Sequence, residues 1–327
     1  MLYPTPEREA FETGIPYIMA VHDVAHRLLP HFPEFTADGV LNQREYVYTE
    51  GIKNACFILA DSESGKEQVR TFYDVDPGRI PVLPFVPPFY ILDESVKKHE
   101  EEWGVLKKGL PSRYLLYPAQ LWPHKNHEGL IRAIALIKKT HGIKVPAVFT
   151  GAEGDSENLD RLRALGSSLG VQDQITWMGY LASPLMRFLY GEALAMVMPT
   201  FLGPTNLPIL EAFATGCPVI ASDIPGAREL VGDAAILIDP GNPEEIASSI
   251  LRLLSDENLR GMLVRRGILR TADRTPQAFS SKLWSLIDQL KPRPASGVET
   301  TRSCGSNESF GEPSRYPDAQ AVVARGK

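Results

Sequence analysis

The stretch AMVMPTFLGPTNLPILEAFATGCPVIAS, residues 195–222, contains a complete strand–loop–helix–strand unit. The apolar run AMVMPT (195–200) predicts a buried strand, and PVIAS (218–222) predicts the next one. Between them, residues 207–215 have the spacing of an amphipathic helix. A helix that joins two strands in this way is typical of a parallel sheet.

The loop GPTN (203–206) and the start of the following helix form the first candidate site. Gly203 permits a close approach of backbone to a ligand, and free N–H groups at 205–207, together with the Thr205 hydroxyl, suit a diphosphate. Glu211 would then reach hydroxyls of the same ligand. The alternative is a helix capped by Asn206, in which Glu211 only complements the helix dipole. The stretch by itself leaves both interpretations open.

The same alternation continues on both sides of this stretch. Strands are predicted over 113–119, 145–151, 175–180, 195–200, 218–222 and 234–240. Helices are predicted over 126–140, 156–169, 183–194, 207–215, 226–231, 243–255, 257–272 and 275–290. Six strand–helix units make a complete doubly wound domain, whose ligand binds at the carboxyl ends of the strands.

The residues before this domain repeat the alternation in a shorter form. Strands are predicted over 16–23, 55–62 and 80–88, and helices over 42–55 and 64–73. A nucleotide-binding half normally has five or six strands, so this domain is either unusually small or lacks its beginning. We therefore expect an α/β protein with a partial domain at 1–100, a linker to about 112, and a second domain at 113–290. The Pro-, Gly- and Ser-rich residues 291–327 are predicted to be a disordered tail.

Composition excludes several classes of function. The net charge of −6 provides no basic field for nucleic acid. Three widely spaced cysteines indicate neither a disulfide framework nor a zinc site, and no metal is expected. There is no apolar run of membrane-spanning length and no signal peptide pattern, so a cytoplasmic protein is expected, with peripheral membrane contact left open. The sequence contains no G-x-G-x-x-G after a strand and no P-loop.

A second loop at the end of a predicted strand lies in YPAQLWPHKNHEGL (117–130). Gln120 and Lys125 lie in or beside it, and a lysine at a helix N-terminus opposes the dipole unless an anion binds there. His124 and His127 lack a third metal ligand nearby, so a capping or supporting role is favoured. His22 ends the strand PYIMAVHD (16–23), where a crevice residue is expected, although a backbone-bonded histidine is the alternative.

The run from YPAQLWPHKNH through GPTNLPILEAFATGCPVIASDIPGARELVGDAAILIDPGNPEEIA resembles the donor-binding domain of family-4 retaining glycosyltransferases. PYIMAVHDVAHRLLPHFPEF, ILADSESGKEQV and VLPFVPP resemble the second half of that family's acceptor domain. The resemblance is greatest to the bacterial branch that builds O-antigen and other surface polysaccharides, including mannosyltransferases. It implies a GT-B fold of two Rossmann-like domains, and here the N-terminal one is small or truncated.

The resemblance also implies roles for single residues. Lys125 matches the lysine that contacts the donor diphosphate, and Glu211 matches the second glutamate of a Glu-x7-Glu motif that holds the ribose. Thr205, Asn206 and Leu207 match the loop whose backbone faces the sugar and phosphates. His22 matches a histidine near the transferring sugar, so His22 and Lys125 are the candidate catalytic residues.

This chain departs from the family pattern in three ways. Gly203 stands where the first glutamate of the motif is expected, and Gln120 replaces the usual arginine. The family's opening strands have no counterpart. The expected activity is transfer of a hexose or deoxyhexose from a nucleotide-diphosphate sugar to a glycan or lipid-linked glycan, with no cofactor. The alternatives are a non-catalytic nucleotide-sugar binder, half of a split enzyme whose partner chain supplies the missing lobe, and a sugar-nucleotide epimerase.

Overall fold

The computed structural model describes residues 1–93, 99–152, 156–203 and 205–290. The predicted tail at 291–327 lies outside these ranges. Within them the chain forms two parallel sheets, as the alternation of strands and helices predicts. Among the described residues, no helix has both the length and the apolar character needed to cross a bilayer.

The first sheet has parallel strands in the order β1-β2-β3. These strands are β1 (Leu2–Tyr3), β2 (Ile18–Ala20) and β3 (Phe57–Leu59). The helices before the second sheet are α1 (Arg8–Glu12), α2 (Ala25–Leu28), α3 (Pro33–Thr36), α4 (Val40–Asn54), α5 (Glu63–Tyr73), α6 (Phe89–Leu92) and α7 (Glu100–Lys107). The strands β2 and β3 and the helices α4 and α5 confirm the predicted elements.

Two features of this sheet differ from expectation. The strand β1 was not predicted, because two residues are too few to show an alternation of apolar and polar side chains. The predicted strand at 80–88 is reduced to one bridge between Ala60 and Val82. That segment contains four prolines, which lack the N–H donors that a continuous ladder requires.

The second sheet has six parallel strands in the order β6-β5-β4-β7-β8-β9. They are β4 (Leu115–Pro118), β5 (Ala147–Thr150), β6 (Ile175–Trp177), β7 (Ala195–Met198), β8 (Val219–Ser222) and β9 (Ala235–Ile238). The helices are α8 (His127–His141), α9 (Ser156–Ser168), α10 (Ser183–Glu192), α11 (Leu207–Ala214), α12 (Ala227–Val231), α13 (Pro243–Ser255), α14 (Glu257–Thr271) and α15 (Pro276–Asp288). Every strand and helix predicted for this part of the chain is present.

The order of the strands in the second sheet places the two candidate loops side by side. The chain runs outward from β4 through β5 to β6, then returns and adds β7 next to β4. Ligands of doubly wound sheets bind at this reversal, beyond the carboxyl ends of the two central strands. The loop with Lys125 follows β4, and the GPTN loop follows β7.

The last helix returns to the first sheet, which the sequence did not indicate. Leu286 of α15 packs in one apolar cluster with Ile18, Leu59 and Leu83. In addition, the Glu229 carboxylate of α12 accepts hydrogen bonds from the backbone N–H groups of Glu63 and Ser64, at 2.8 and 3.1 Å. The two sheets are therefore held together by an apolar contact and by a carboxylate at the start of α5.

Candidate functional site

The loop after β4 is fixed by the side chain of Asn126. Asn126 adopts a left-handed backbone conformation (φ 57°), and its side-chain oxygen accepts a hydrogen bond from Gly129 N–H at 3.0 Å. Its side-chain nitrogen donates to the carbonyls of Pro199 (2.9 Å) and Pro240 (2.7 Å). These bonds cap α8 and tie the loop to the ends of β7 and β9. The short helical turn Pro123–Lys125 is thereby held at the reversal point of the sheet.

Lys125 is a poorly solvated cation in this loop. Burial lowers the pKa of its ammonium group, and the charge of Asp23 in the first domain opposes that effect. Its ammonium group makes no hydrogen bond or ion pair with any residue in the described part of the chain. Desolvating a charge is costly unless an opposite charge compensates. An anion beside the Lys125 ammonium group would offset this cost.

The GPTN loop owes its shape to Gly203 and Asn206. Gly203 has φ +127°, and a Cβ atom there would lie 2.5 Å from the Asn206 side-chain oxygen. The Asn206 side chain donates to the Gly203 carbonyl at 2.8 Å. The interpretation of Asn206 as a capping side chain is wrong, because it holds the N-cap position of α11 but makes no capping bond. At the start of α11 the Ile209 N–H donates to the Asn206 backbone carbonyl at 3.0 Å, and the Asn206 side chain satisfies none of the first N–H groups of the helix.

Glu211 lies in the second turn of α11 and is 7% exposed. Its two oxygens accept hydrogen bonds from the hydroxyls of Tyr90 and Tyr190, both at 2.7 Å. Burial raises the pKa of Glu211, and the two tyrosine hydroxyls oppose that rise by stabilising the carboxylate. An ionised carboxylate has about four acceptor positions, so two remain for hydroxyls of a ligand.

Tyr90 is a residue that the sequence analysis missed. It lies in α6, within the segment 84–112 interpreted as a linker, and it meets Glu211 across 121 positions of the chain. Arg187 of α10 donates to the carbonyls of Ile91 and Asp93 and fixes this segment against the second sheet's helices. Nothing local in the sequence signals this pairing.

Asp61 is a second residue that the sequence analysis missed, and it lies near His22. The His22 ring nitrogen Nδ1 is 4.0 Å from an Asp61 carboxylate oxygen, and the Thr205 hydroxyl acts to lower the pKa of the same carboxylate. Asp61 is 5% exposed, and burial raises its pKa to about 6. A polar residue directly after the apolar run of β3 is the signal that could have identified it.

The remaining predicted residues have simpler surroundings. Gln120 is exposed, and its side-chain oxygen accepts a hydrogen bond from the Trp122 indole at 2.7 Å. Glu34 of α3 accepts hydrogen bonds from the His124 backbone N–H (3.0 Å) and ring Nδ1 (2.7 Å), a contact between the two domains. Leu207 packs against the core of the second domain. Among the described residues, no group of three or more potential ligands could hold a metal ion.

A cavity of about 370 Å³ opens near the start of α8. Its described lining includes Trp122, Arg132, Asn158, Arg161 and Phe201. None of the predicted donor-binding residues belongs to this lining. The cavity borders the loop after β4, because Pro123 and Asn126 line it, but it does not include the predicted donor-binding side chains.

Comparison with known proteins identifies the family. A model described as "Glycosyl transferases group 1" matches residues 99–270, more than half of the chain. The chain is 26% identical over 244 residues to "O-antigen chain mannosyltransferase B" of Escherichia coli, which covers 72% of this chain and 61% of that protein. It is 24% identical over 199 residues to "O-antigen chain mannosyltransferase RfbU" of Salmonella typhimurium, covering 61% and 51%. The chain thus spans between half and about three fifths of these relatives.

Solved structures share the fold. The Anabaena protein Alr3699/HepE, in complex with UDP and glucose, is similar with a TM-score of 0.68 and 19% identity, over 86% of this chain and 74% of that one. WaaG, a glycosyltransferase involved in lipopolysaccharide biosynthesis, is similar with a TM-score of 0.67 and 15% identity, over 89% and 77%. These similarities, with the parallel sheets described above, confirm the predicted α/β fold of GT-B type. The family match over more than half of its length shows that this chain belongs to the group 1 glycosyl transferases.

Proposed function

We propose that this chain is a family-4 retaining glycosyltransferase of surface polysaccharide synthesis. It moves a hexose or deoxyhexose, with mannose the first candidate, from a nucleotide-diphosphate sugar to a hydroxyl of a glycan or lipid-linked glycan. The observation that carries the proposal is the poorly solvated Lys125 ammonium group beside the GPTN loop at the reversal point of the sheet. The names of the O-antigen mannosyltransferase relatives, and the UDP and glucose bound by Alr3699/HepE, support this choice of chemistry.

Each site residue has a role in this proposal. Lys125 and the N–H groups at 205–207 bind the diphosphate, with Gln120 at the edge of the loop. Glu211, oriented by its tyrosines, accepts hydrogen bonds from the ribose diol. His22 contacts the transferring sugar from the first domain.

The reaction breaks the bond between the anomeric carbon and the diphosphate oxygen and forms a bond from that carbon to the acceptor oxygen. The acceptor hydroxyl proton goes to the departing phosphate oxygen, so no protein nucleophile is required. Negative charge grows on the leaving diphosphate, and fixed cationic and N–H donors stabilise it there. These donors serve in place of a metal ion, and contact between the domains excludes water.

The organisation of the chain enters the proposal as well. Residues 1–100 form part of an acceptor-side domain, residues 113–290 form the donor domain, and the acceptor is reached at the cytoplasmic face of a membrane. Nucleic acid has no part in the function. The relatives extend well beyond the matched region, so a partner chain that completes the acceptor side is compatible with the same chemistry.

The test combines binding and turnover. Thermal unfolding is measured with GDP-mannose, UDP-glucose and dTDP-rhamnose, because a ligand that binds only the folded state raises the apparent stability. Release of the nucleoside diphosphate is then followed with an alkyl mannoside as acceptor. Stabilisation by one donor and acceptor-dependent release support the proposal. Binding without release in the presence of acceptor contradicts it and favours the non-catalytic or split form, and conversion of the donor alone to an isomer favours an epimerase.

A further inference from the structure

His124 connects the first domain to both loops of the candidate site. Its backbone N–H donates to the Glu34 carboxylate oxygen Oε1 at 3.0 Å, and its ring Nδ1 lies 2.7 Å from the same oxygen. Its backbone carbonyl accepts hydrogen bonds from the Phe201 N–H (2.9 Å) and the Thr200 hydroxyl (3.2 Å), just after β7. Lys125 is the next residue in the chain. The residue before Lys125 therefore joins the loops after β4 and β7 to α3 of the first domain.

The backbone of Lys125 itself is held from within the second domain. Its N–H donates to the Trp122 carbonyl at 2.9 Å, and its carbonyl accepts a hydrogen bond from the Tyr117 hydroxyl of β4 at 2.5 Å. To these bonds Glu34 adds two from the first domain, both to His124. The position of the turn therefore depends on the contact between the domains as well as on the sheet.

The Glu34 carboxylate lies in an apolar environment. Its side chain is 6% exposed, and that of His124 is 8% exposed. The His124 ring packs against Phe35 and Phe32, with centroids 5.0 and 6.3 Å apart. The second carboxylate oxygen of Glu34, Oε2, is buried and has no hydrogen-bond partner in the part of the chain that the structure describes. A buried acceptor without a partner costs free energy, so an apolar side chain here would serve stability at least as well.

The contact with Glu34 determines which nitrogen of the His124 ring carries the proton. A carboxylate oxygen accepts hydrogen bonds and does not donate them, so Nδ1 is protonated in this arrangement. Burial lowers the pKa of His124, and the charge of Lys125 lowers it further, while Glu34 opposes both effects. The ring is therefore neutral at pH 7, with its proton on Nδ1.

We propose that Glu34 is a positioning residue, which fixes the turn that carries Lys125 when the two domains are in contact. Its Oε1 atom does this by accepting two hydrogen bonds from His124, and the negative charge is not required. An amide oxygen has the same two acceptor positions. This inference rests on the proposed function for its effect on sugar transfer. The hydrogen bonds to His124 can be measured without any activity.

The arrangement makes the donor site dependent on contact between the domains. A group that acts on a diphosphate must be correctly placed, and a displacement of about 1 Å can cost a hundredfold in rate. Phe35 of α3 and Leu202, which follows β7, belong to one apolar cluster. The helix α3 thus contacts the loops after both central strands, and separation of the domains would release both loops from it.

The first test reads the ring nitrogens of His124. The protein is labelled with ¹⁵N-histidine, and the His124 signals are assigned by comparison with His124→Gln. The wild type and Glu34→Gln are expected to carry the ring proton on Nδ1. Glu34→Leu is expected to lose this preference, because leucine accepts no hydrogen bond. Glu9→Leu, at an exposed glutamate of the first domain, is the matched control and should give the wild-type spectrum.

The second test measures affinity for GDP and UDP by calorimetry, together with kcat. Glu34→Leu should lower the affinity for the diphosphate that the wild type binds about threefold to tenfold. It should lower kcat about tenfold to a hundredfold. Glu34→Gln should stay within about threefold of the wild type in both quantities. In the Lys125→Ala protein, adding Glu34→Leu should change either quantity by less than about twofold, because Glu34 acts through that lysine.

The outcomes separate positioning from other roles of Glu34. A wild-type ring protonated on Nε2 alone overturns the inference, and so does a Glu34→Gln protein that loses as much activity as Glu34→Leu. A Glu34→Leu protein that is less stable but keeps the wild-type kcat overturns it too, because the contact would then serve only the fold. A loss that persists in full in the Lys125→Ala protein also overturns it.

Two further cases are decided by the same measurements. If Glu34→Leu does not fold, the wild-type ring proton and the kcat of Glu34→Gln decide: both as expected support the inference, and failure of either overturns it. A wild type that carries the Nδ1 proton and binds GDP or UDP but transfers no sugar refutes the proposed function. The inference then stands if Glu34→Leu weakens diphosphate binding and Glu34→Gln does not, and it is overturned otherwise.

Discussion

Replacing Asp61 by asparagine should remove a pH dependence from the stability of the fold. The pKa of Asp61 is raised from 3.8 to about 6, first by burial, while His22 and Thr205 oppose the rise. The folded state therefore binds this proton more tightly than the unfolded state does. The contribution of Asp61 to the free energy of unfolding is therefore largest below pH 3.8, falls as the pH rises toward 6, and is level above that.

The size of the effect follows from the two pKa values. A difference of about 2 pKa units, at about 1.4 kcal/mol each, corresponds to about 3 kcal/mol. Asparagine does not ionise, so in Asp61→Asn this position contributes no change of unfolding free energy with pH. Relative to Asp61→Asn, the wild-type protein should lose about 2 kcal/mol of stability between pH 4 and pH 7, because the first part of the loss occurs below pH 4.

Urea unfolding followed by tryptophan fluorescence at several pH values measures this difference. Asp160→Asn, a substitution at an exposed carboxylate, corrects for the loss of one charge and should follow the wild-type slope. If the unfolding free energies of the wild type and Asp61→Asn change equally with pH, within the error of the extrapolation to zero urea, the reasoning is refuted. That result would mean that the Asp61 carboxyl is as well solvated in the folded protein as in the unfolded chain.

Three other substitutions test the site and the packing beneath it. Lys125→Ala should lower kcat by about 10²–10³, with a smaller loss of donor affinity by calorimetry, because a fixed cation acts on charge that develops in the transition state. Equal losses in both quantities would instead indicate ordinary ground-state binding. Gly203→Ala should lower the free energy of unfolding by about 1–3 kcal/mol, because its φ is +127° and the new methyl would lie 2.5 Å from the neighbouring asparagine. Gly267→Ala should cost about 1–3 kcal/mol in the same assay, since its methyl would lie 2.6 Å from the Phe213 ring between α11 and α14. Gly191→Ala, where a methyl meets nothing within 4 Å, is the control for both, and destabilisation there would contradict the steric argument.

Local patterns explain why the second domain was predictable. In residues 113–290 each strand appears as a short apolar run, and each helix appears as apolar residues at helical spacing. Each loop begins where such a pattern ends. Once a parallel sheet is expected, the loops after its strands are the candidate site. Lys125 and the GPTN loop were found in this way, and the structure places both at the reversal point.

The first domain was less predictable for a physical reason. The strand β1 is two residues long, and the prolines of residues 80–88 interrupt a pattern that otherwise indicates a strand. Short strands are stabilised by their neighbours in the sheet and carry little signal of their own. The alternative role of Asn206 as a helix cap is wrong for a related reason, because its side chain bonds to Gly203, three residues earlier, instead of to the helix.

By itself, the sequence determined the alternation of strands and helices and the two loops that carry Lys125 and Thr205. Only the tertiary structure decided which groups those residues meet. Tyr90 meets Glu211 across 121 positions, and Glu34 meets His124 across 90. Periodicity reports how a segment faces the core, but it contains no information about which distant segment lies opposite. The Asp61 carboxylate is an ordinary side chain in the unfolded chain, and it acquires its raised pKa only when folding buries it.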